Sequence, residues 1–418
     1  MTTERVGPAA YVNLAGAAAA FLLSSWAWGL ISPLGARYKE ALGLSALQQS
    51  LLVAVPVLVG ALGRVPVGAL TDRLGARVML PAISFLTILP VLGLTVFRSY
   101  PGLLVVGFFL GLGGTPFAAS IPHANAWFPP AKRGLALGVV GMGMGGTAIA
   151  ALLTKPMIDG YGENAQFYLV AAVLAAFGVL AALVLRDPPG RTPSATPFAT
   201  RFAEAARQPM TWPLSALYAV CFGGYVAFAV YLVTYLQTEY GVSQGDAGLK
   251  AAGFTLVAVV LRPPGGWLSD RIGPAKVLVG CLSVVALTAV CQAFAPPLYP
   301  WATLALLTMA GALGAGSGAV FALLAQVTPA RHVGAVTGIV GAVGGLGGFL
   351  PPLVMGAVHG ATGSYAIGLM LLSDVALAAL VYTWTRLRQE AGPSSPGSDR
   401  ASASRIMVRP NPNSSAKE

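Results

Sequence analysis

Apolar residues occur along the chain in twelve long runs, each bounded by charged residues, by glycine and proline clusters, or by both. A helix needs about 20 apolar residues to cross the hydrocarbon core of a membrane. The pattern therefore predicts twelve transmembrane helices, which we number as spans one to twelve. Their predicted limits are residues 10–33, 48–70, 77–97, 101–126, 133–155, 164–186, 211–236, 247–269, 276–296, 300–327, 332–357 and 364–386.

Composition agrees with an all-α integral membrane protein. Of the 418 residues, 56% are hydrophobic and 9% are charged, whereas a soluble domain carries about 25% charged residues. The 52 glycines and 31 prolines are spread through the apolar runs, which excludes collagen and low-complexity disorder. Membrane helices tolerate both residues better than soluble helices do.

The basic residues predict the orientation. If both termini are cytoplasmic, 18 of the 25 lysines and arginines lie in cytoplasmic segments, five lie on the opposite side and two lie inside spans. The positive-inside rule then places both termini in the cytoplasm, and we expect a multi-pass protein of the cell inner (cytoplasmic) membrane. Topology accounts for most of the formal charge of +11, so the charge gives no reason to expect a nucleic-acid partner.

The sequence shows no pattern typical of an enzyme or a metalloprotein. Its three cysteines, Cys221, Cys281 and Cys291, lie in apolar runs without metal-ligand spacing or a disulfide framework. No catalytic dyad, metal cluster or phosphate-binding loop lies in or beside the spans. The sequence therefore favours a transporter over a membrane enzyme or receptor, with no metal and no cofactor.

The longest polar interruption, residues 187–210, divides the spans six and six. It begins as Pro- and Ser-rich coil and continues as a short amphipathic piece, 202–207, suited to a membrane surface. The predicted domains are an N-terminal six-helix half, 1–186, this cytoplasmic linker, and a C-terminal six-helix half, 211–388. Residues 389–418 have the composition of a disordered tail, which we expect to be cytoplasmic.

The two halves repeat each other. The sequence GRVP at 63–66, with GALTDRLG at 68–75, reappears as LRPP at 261–264 with GWLSDRIG at 266–273. A glycine-rich run that starts at Gly138 on span five reappears at Gly338 on span eleven. Two six-helix halves related by duplication are the layout of secondary transporters that work by alternating access.

Arg64 and Arg262 occupy equivalent places inside spans two and eight. Each lies eight residues before the Asp of its loop motif, Asp72 or Asp270, so at 1.5 Å per residue it lies about 12 Å inside the membrane. A guanidinium cannot lose its charge, and among the 14 acidic residues only Asp374 lies well inside a span. The pair therefore predicts a site for an external anion, because two guanidiniums can hold a small planar oxyanion from opposite sides.

Either arginine alone also has a structural interpretation. The adjacent Pro66, Pro263 and Pro264 free backbone carbonyls, and a guanidinium can bind such carbonyls. An intramembrane arginine normally faces the bundle interior and has a partner. The repetition of arginine at matching depth favours the anion site, since a site between the halves explains both positions.

Glycine pairs on spans five and eleven repeat in both halves. Gly141 with Gly145, and Gly341 with Gly345, have the GxxxG spacing of a close helix contact. Glycine also lets a backbone approach a small ligand. Both interpretations apply to these two spans.

Aromatic residues are candidates for the walls of the site. Phe117 follows a Gly-Gly pair on span four, and Tyr218 and Phe222 lie four residues apart on one face of span seven. Each of them also suits a helix core or a lipid-facing surface.

The motif GALTDRLGAR at 68–77, with its copy at 266–276, resembles the loop signature of the major facilitator superfamily. Within that superfamily the chain resembles the nitrate/nitrite porter family. The resemblance rests on the two arginines, on GLALGVVGMGMGG and AVTGIVGAVGGLGGFLPP in spans five and eleven, and on YAVCFGGYVAFAVYLVTYL in span seven. It extends over nearly all of residues 10–388.

The resemblance implies the major facilitator fold, with 12 transmembrane helices in two six-helix halves and one anion site between them. In the family, arginines of helices two and eight bind the anion and aromatics of helices four and seven enclose it. These positions are Arg64, Arg262, Phe117, Tyr218 and Phe222. The implied partners are nitrate or nitrite and the lipid bilayer, and the expected state is a monomer.

The loop motifs imply conformational gating. Near a helix end, Asp72 and Asp270 can pair with a basic residue or with the N-terminus of another helix. We expect these acids, with the following Arg73 and Arg271, to act as gate residues rather than as catalytic acids.

Two positions depart from the family pattern. The family commonly has asparagine in the helix-five signature where this chain has Met144, and often has asparagine where it has Ser317. The loss of a polar group at Met144 bears on the preference between nitrate and nitrite. It does not bear on the arginine pair.

The sequence favours exchange of nitrate and nitrite over proton symport. Symport needs a titratable group close to the site, and the candidates His123, Lys155, His359 and Asp374 all lie towards span ends or on a peripheral span. Two unpaired arginines in an empty site disfavour the empty crossing. Nitrate–proton symport and transport of another small organic anion, such as a monocarboxylate or oxalate, remain alternatives.

Overall fold

The computed structural model describes residues 6–191, 197–348, 351, 354–355, 358 and 361–387. Over these ranges the regular secondary structure is helical and contains no strand. The principal helices are α1 (Pro8–Trp28), α2 (Gly35–Leu42), α3 (Ala46–Leu74), α4 (Ala76–Val96), α5 (Tyr100–Leu110), α6 (Pro116–Trp127), α7 (Arg133–Gly141), α8 (Gly146–Tyr161), α9 (Ala165–Val184), α10 (Phe198–Arg207), α11 (Thr211–Tyr218), α12 (Gly224–Tyr240), α13 (Gln244–Val260), α14 (Arg262–Ile272), α15 (Pro274–Ala293), α16 (Thr303–Val327), α17 (Val333–Gly347) and α18 (Ala366–Tyr382).

In the described part of the chain, eleven helical segments are long and apolar enough to cross a membrane. They coincide with spans one to ten and span twelve. Helix α17 occupies the position of span eleven and has 15 residues, while much of 349–360 lies outside the described residues. The predicted tail at 389–418 and His359 also lie outside them.

Several spans are interrupted near their middle. Span four passes through a 3-10 segment, Gly111–Gly114, between α5 and α6, and span five through a second one, Met142–Gly145, between α7 and α8. Span seven contains a π-helical turn, Ala219–Gly223. Such irregular backbone inside a membrane protein is tolerated where it is buried in protein or lines a cavity.

Helices of the two halves cross at two equivalent places. Helix α3 packs along α17, and α14 packs along α7. Both crossings depend on glycine: a Cβ atom at Gly266 would lie 1.9 Å from the carbonyl oxygen of Gly134, and one at Gly68 would lie 2.7 Å from that of Gly334. Since real Cβ contacts do not fall below about 3 Å, only glycine allows these backbones to approach so closely.

The two loop motifs end their helices in the same way. Gly75 closes α3 with a φ of 88° and Gly273 closes α14 with a φ of 94°. Both values lie in the region that favours glycine, and each turn leads directly into the next helix. We call the end of the bundle that carries these turns and α10 the linker face.

The outer surface of the bundle is apolar. Large side chains exposed on it include Leu89, Val96, Leu183 and Leu287, each more than 65% exposed. In water a contiguous apolar surface of this kind is rare. It fits the lipid bilayer that the sequence predicts as solvent.

Candidate anion-binding site

Arg64 lies on the unbroken helix α3 and is 1% exposed. Its Nη1 donates a hydrogen bond to the carbonyl oxygen of Gly341 on α17, at 2.8 Å. Its Nε donates to the carbonyl oxygen of Gly114, in the 3-10 segment of span four, at 3.1 Å. One guanidinium thus binds backbone from both halves.

Arg262 is the first residue of α14 and is 2% exposed. Pro263 and Pro264 follow it, and because proline has no N–H, span eight is interrupted between α13 and α14. Nη1 of Arg262 donates to the carbonyl oxygen of Gly141, on α7 of the other half, at 2.7 Å. Its Nε and Nη2 are buried and have no hydrogen-bond partner among the described residues.

The two arginines therefore reach across the interface between the halves in equivalent ways. Each donates Nη1 to a glycine carbonyl of the opposite half, Gly341 or Gly141. A Cβ atom at either glycine would lie 3.1 Å from Cδ of the bound arginine, which is tighter than most real contacts. Glycine at these positions gives the guanidinium access to the helix backbone.

Aromatic rings surround both charges. The guanidinium carbon of Arg64 lies 5.1 Å from the ring centre of Phe117 and 5.6 Å from that of Phe222. That of Arg262 lies 5.3 Å from Phe222 and 5.2 Å from Tyr225. Phe222 is shared by both cations. Contacts of this kind stabilise a buried cation by about 0.5–2 kcal/mol each.

The aromatic side chains form one stack. The rings of Phe117 and Tyr218 are parallel with centres 6.2 Å apart, and those of Tyr218 and Phe222 are parallel at 4.8 Å. Phe321 of α16 meets Phe117 and Tyr218 edge-on, at 4.9 and 4.7 Å. The three aromatic residues predicted from the sequence are therefore brought together beside the arginines.

Two aromatic residues of the site were missed by the sequence interpretation, Phe321 and Tyr225. Tyr225 lies three residues after Phe222, in the same aromatic run, and helical spacing was a signal for it. The repeat gave no such signal for Phe321, since Gly134 and Gly334 set an offset of 200 that maps Phe117 onto Ser317, four residues earlier.

A small cavity of about 10 Å³ remains between these groups. A single water needs about this volume, so a polyatomic anion requires the surrounding side chains to move apart. The structure therefore shows the site in a closed form. The cavity is lined by Phe117, Leu137, Gly138, Gly141, Tyr218, Arg262, Ser317, Gly318 and Phe321.

No acidic residue neutralises the arginines within the described ranges. The ion pairs found there involve neither Arg64 nor Arg262, and the two guanidiniums repel each other. Asp374, the one acid predicted deep in a span, is exposed on α18. The site thus has an excess of positive charge that an anion would balance.

The second glycines of the two predicted pairs, Gly345 and Gly145, differ in their distance from the arginines. Gly345 lies near Arg64, since a Cβ atom there would be 3.8 Å from Nη1. Gly145 does not lie near Arg262: its nearest side chains are Val259 and Leu22.

The two positions that depart from the family pattern give the site no new polar contact. Met144 is 4% exposed and packs in the hydrophobic core. Ser317 lines the cavity, but its hydroxyl donates to the carbonyl of Leu313, one turn earlier on α16.

The loop-motif acids lie at the linker face and bind helix N-termini of the opposite half. Asp270 accepts hydrogen bonds from the backbone N–H groups of Gly134 and Leu135, at 2.7 and 2.9 Å, where α7 begins. The carboxylate of Asp72 lies against the start of α17, where a Cβ atom at Gly334 would be 2.0 Å from its Oδ1. A carboxylate is favourable at a helix N-terminus, where unpaired N–H groups and the helix dipole meet. Both contacts join the two halves at the linker face.

The linker helix α10 adds a contact on one side only. Arg201, 6% exposed, binds the carboxylate of Asp72 at 2.5 Å and the carbonyl of Arg331 at 3.1 Å. The amphipathic piece predicted for a membrane surface thus packs against α3 and α17. The gate candidates Arg73 and Arg271 are exposed, and Arg271 lies 4.0 Å from the ring centre of Trp267.

Comparison with known proteins identifies the family. The family model of the Major Facilitator Superfamily matches residues 17–245 and 214–412. The chain is 48% identical over 372 residues to the probable nitrate/nitrite transporter NarK2 of Mycobacterium tuberculosis, covering 88% of this chain and 94% of that relative. The chain belongs to the NarK-type nitrate/nitrite porters of the major facilitator superfamily. It is also 36% identical to the nitrite extrusion protein of Bacillus subtilis, over 85% of the porter and 89% of that relative.

Solved structures agree with the fold of the porter. The human organic anion transporter MFSD10 superposes with a TM-score of 0.75 at 16% identity, covering 90% of this chain and all (100%) of the other. The fucose:proton symporter FucP of E. coli superposes with a TM-score of 0.73 at 19% identity, covering 90% of this chain and 99% of the other. These identities show likeness of fold alone. The predicted family, major facilitator fold and transporter rather than enzyme class are confirmed.

A prediction follows from the packing of Tyr218. A Cβ atom at Gly344 would lie 2.2 Å from Cδ1 of Tyr218, so Gly344→Ala must displace this ring from the aromatic stack. Overpacking of this kind costs about 1–3 kcal/mol, and we expect nitrate binding, measured by calorimetry on the purified porter, to weaken about tenfold. Gly253→Ala is the control, because a Cβ atom there meets nothing within 4 Å. Equal affinities for the two variants would contradict this role of the ring.

Proposed function

We propose that this protein transports nitrate and nitrite across the cell inner (cytoplasmic) membrane by alternating access. The anion binds between Arg64 and Arg262, and the two halves rock about it. The substrate is supported by the names of the relatives, which describe nitrate and nitrite transport. The binding mode is supported by the geometry of the arginine pair.

One observation carries the proposal. Two buried guanidiniums contact the same ring, Phe222, and each donates to the backbone of the opposite half. No acidic partner accompanies them in the described residues. A guanidinium presents donors in a planar fork that matches two oxygens of a planar oxyanion, and parallel aromatic rings favour a flat ligand over a tetrahedral one.

Exchange of nitrate for nitrite is the favoured coupling mode. An empty site leaves two like charges uncompensated in a region from which water is excluded, which raises the free energy of the unloaded closed form. A bound anion removes this cost in both directions. His123 is hydrogen-bonded to Asn13 within the N-terminal half, at 3.1 Å, and contacts neither arginine.

We place the linker face in the cytoplasm. The positive-inside rule supports this orientation. The domain division at 187–210 and the monomeric state are parts of the same proposal. The contacts of Asp72 and Asp270 then serve as the cytoplasmic gate, which must open once in each transport cycle.

The arginine pair is tested by substitution with lysine. Arg64→Lys and Arg262→Lys keep the charge but lose the bidentate fork, so we expect nitrate counterflow in proteoliposomes to fall about 100-fold, the effect of losing charge-assisted hydrogen bonds. Arg98→Lys, at an exposed ion pair with Glu163, should leave the rate unchanged. Normal counterflow in either site variant would refute the arginine site.

The coupling mode is tested by the choice of driving force. Proteoliposomes loaded with nitrite should take up labelled nitrate at least about tenfold faster than empty ones, since loaded crossings avoid the uncompensated charges. A pH gradient alone should drive no accumulation. Accumulation driven by an acidic exterior would instead establish proton symport. Inhibition by formate or oxalate stronger than by unlabelled nitrate would point to an organic anion as the substrate.

The gate is tested by removing Asp270. Asp270→Ala leaves the N–H groups of Gly134 and Leu135 without their acceptor, which weakens the closed linker face by about 1.5–3 kcal/mol. The measurement is the rate at which a polar thiol reagent, added on the side of the linker face, labels a cysteine introduced by Ser269→Cys. The three native cysteines are first replaced. Labelling should accelerate about tenfold. Asp246→Ala, an exposed acid on α13, should have no effect, and an unchanged rate with Asp270→Ala would argue against the gate.

A further inference from the structure

The protein holds its two arginines differently, although the repeat makes them equivalent. Arg64 donates to two carbonyls, those of Gly341 and Gly114, whereas Arg262 donates to that of Gly141 alone. Nε and Nη2 of Arg262 are buried without a partner among the described residues. The difference is therefore one acceptor, the carbonyl oxygen of Gly114.

The acceptor is available because Pro116 interrupts span four. Proline has no N–H to continue the helix, and the chain passes through the 3-10 segment before α6 begins. In an α-helix the N–H of Ala118 would donate to Gly114. Here it donates to Thr115, at 3.0 Å, so the carbonyl of Gly114 is free to accept from Nε of Arg64.

Span ten offers no such acceptor to Arg262. The offset of 200 between Gly134 and Gly334 places Gly314 opposite Gly114, and Gly316 opposite Pro116. Without proline at 316, α16 runs unbroken from Thr303 to Val327. In an unbroken helix each carbonyl accepts the N–H four residues later.

Trp28 of α1 fixes the interrupted segment against the helix that carries Arg64. Its indole N–H donates to the carbonyl oxygen of Pro56 on α3, at 2.8 Å. Its ring lies against Gly60 and Gly114, where a Cβ atom would be 3.1 and 3.2 Å from the indole. The indole therefore packs on both Gly114 and α3, which also touch each other directly, since a Cβ atom at Gly114 would lie 3.1 Å from Cα of Gly60.

The residual cavity lies on the side of Arg262. Its lining includes Arg262 but not Arg64, in the residues that the structure describes. Arg262, the arginine with two unpaired donors, therefore borders this space. An anion that enters here meets donors that need not first release a protein acceptor.

We propose that Pro116 and Trp28 are positioning residues, which hold Arg64 preset through the carbonyl of Gly114 and leave Arg262 to take the anion first. The inference rests on the proposed anion site and assigns its two arginines different roles. A preset donor loses less conformational freedom on binding. A donor with unpaired N–H groups makes the first contact.

The test is Pro116→Ala, with Pro122→Ala as the matched control in the same helix, α6. Alanine at 116 restores an N–H, so span four can continue as α-helix and Ala118 can compete for the carbonyl of Gly114. Hydrogen–deuterium exchange of the arginine Nε–H groups is followed by NMR. The signals are assigned by their loss in Arg64→Lys and Arg262→Lys.

In the unsubstituted protein, Nε–H of Arg64 should exchange about tenfold more slowly than that of Arg262, as expected for one charge-assisted hydrogen bond. Pro116→Ala should remove this difference without lowering Tm, and should raise the Kd for nitrate about tenfold. Pro122→Ala should change neither the difference in exchange rate nor the Kd for nitrate. Since a merely structural proline would alter Tm alone, lowered affinity at undiminished stability identifies positioning.

Equal exchange of the two arginines in the unsubstituted protein, or unchanged exchange in Pro116→Ala, would overturn the inference. The exchange measurement needs no anion. Failure of the protein to bind nitrate at all would therefore contradict the proposed function, while the exchange rates would still test whether the two arginines are held differently. Trp28→Phe keeps an aromatic ring at this position but loses the indole N–H that donates to Pro56. Like Pro116→Ala, it should accelerate exchange of the Nε–H of Arg64. An unchanged exchange rate would refute the role of Trp28.

Discussion

Two guanidiniums that cannot lose their charge are buried between the halves of this protein, and its central architecture satisfies that constraint. No acidic residue neutralises them in the described site, and aromatic faces and backbone carbonyls surround them instead. These contacts stabilise the two cations and satisfy part of their donors, but they do not neutralise the charge. The site therefore keeps a positive potential suited to an anion. Both guanidiniums contact the ring of Phe222.

At the linker face, too, charged side chains contact the helix backbone of the opposite half. Arg64 and Arg262 bind glycine carbonyls of the opposite half, while Asp72 and Asp270 bind helix N-termini of the opposite half. Cations thus meet carbonyls and carboxylates meet N–H groups, in the pairing that the helix backbone prefers. Every one of these contacts crosses between the halves, so in the proposed rocking motion those at the linker face must break when that face opens. Glycine at positions such as Gly134 keeps the backbones close enough for the contacts to form.

Much of the fold and part of the site could be predicted from the sequence. The lengths of the apolar runs gave the spans, and the repeat with an unpaired charge in each copy gave the arginines. Phe321 could not be found in this way, because the repeat maps Phe117 onto Ser317 and edge-on packing has no sequence pattern. The linker helix was predicted as amphipathic, but Arg201 directs it to the partly buried carboxylate of Asp72 rather than to lipid.

The sequence by itself determined what depends on neighbours along the chain: span length, depth of charge, the duplicated plan and the family. Only the tertiary structure decided which carbonyl each guanidinium binds, and that the two arginines are held unequally. The physical reason is that a hydrogen bond depends on atoms within about 3 Å, and here the donors and acceptors come from helices that are distant in sequence. Pro116 is visible in the sequence, yet its consequence for Arg64 exists only where spans two and four meet.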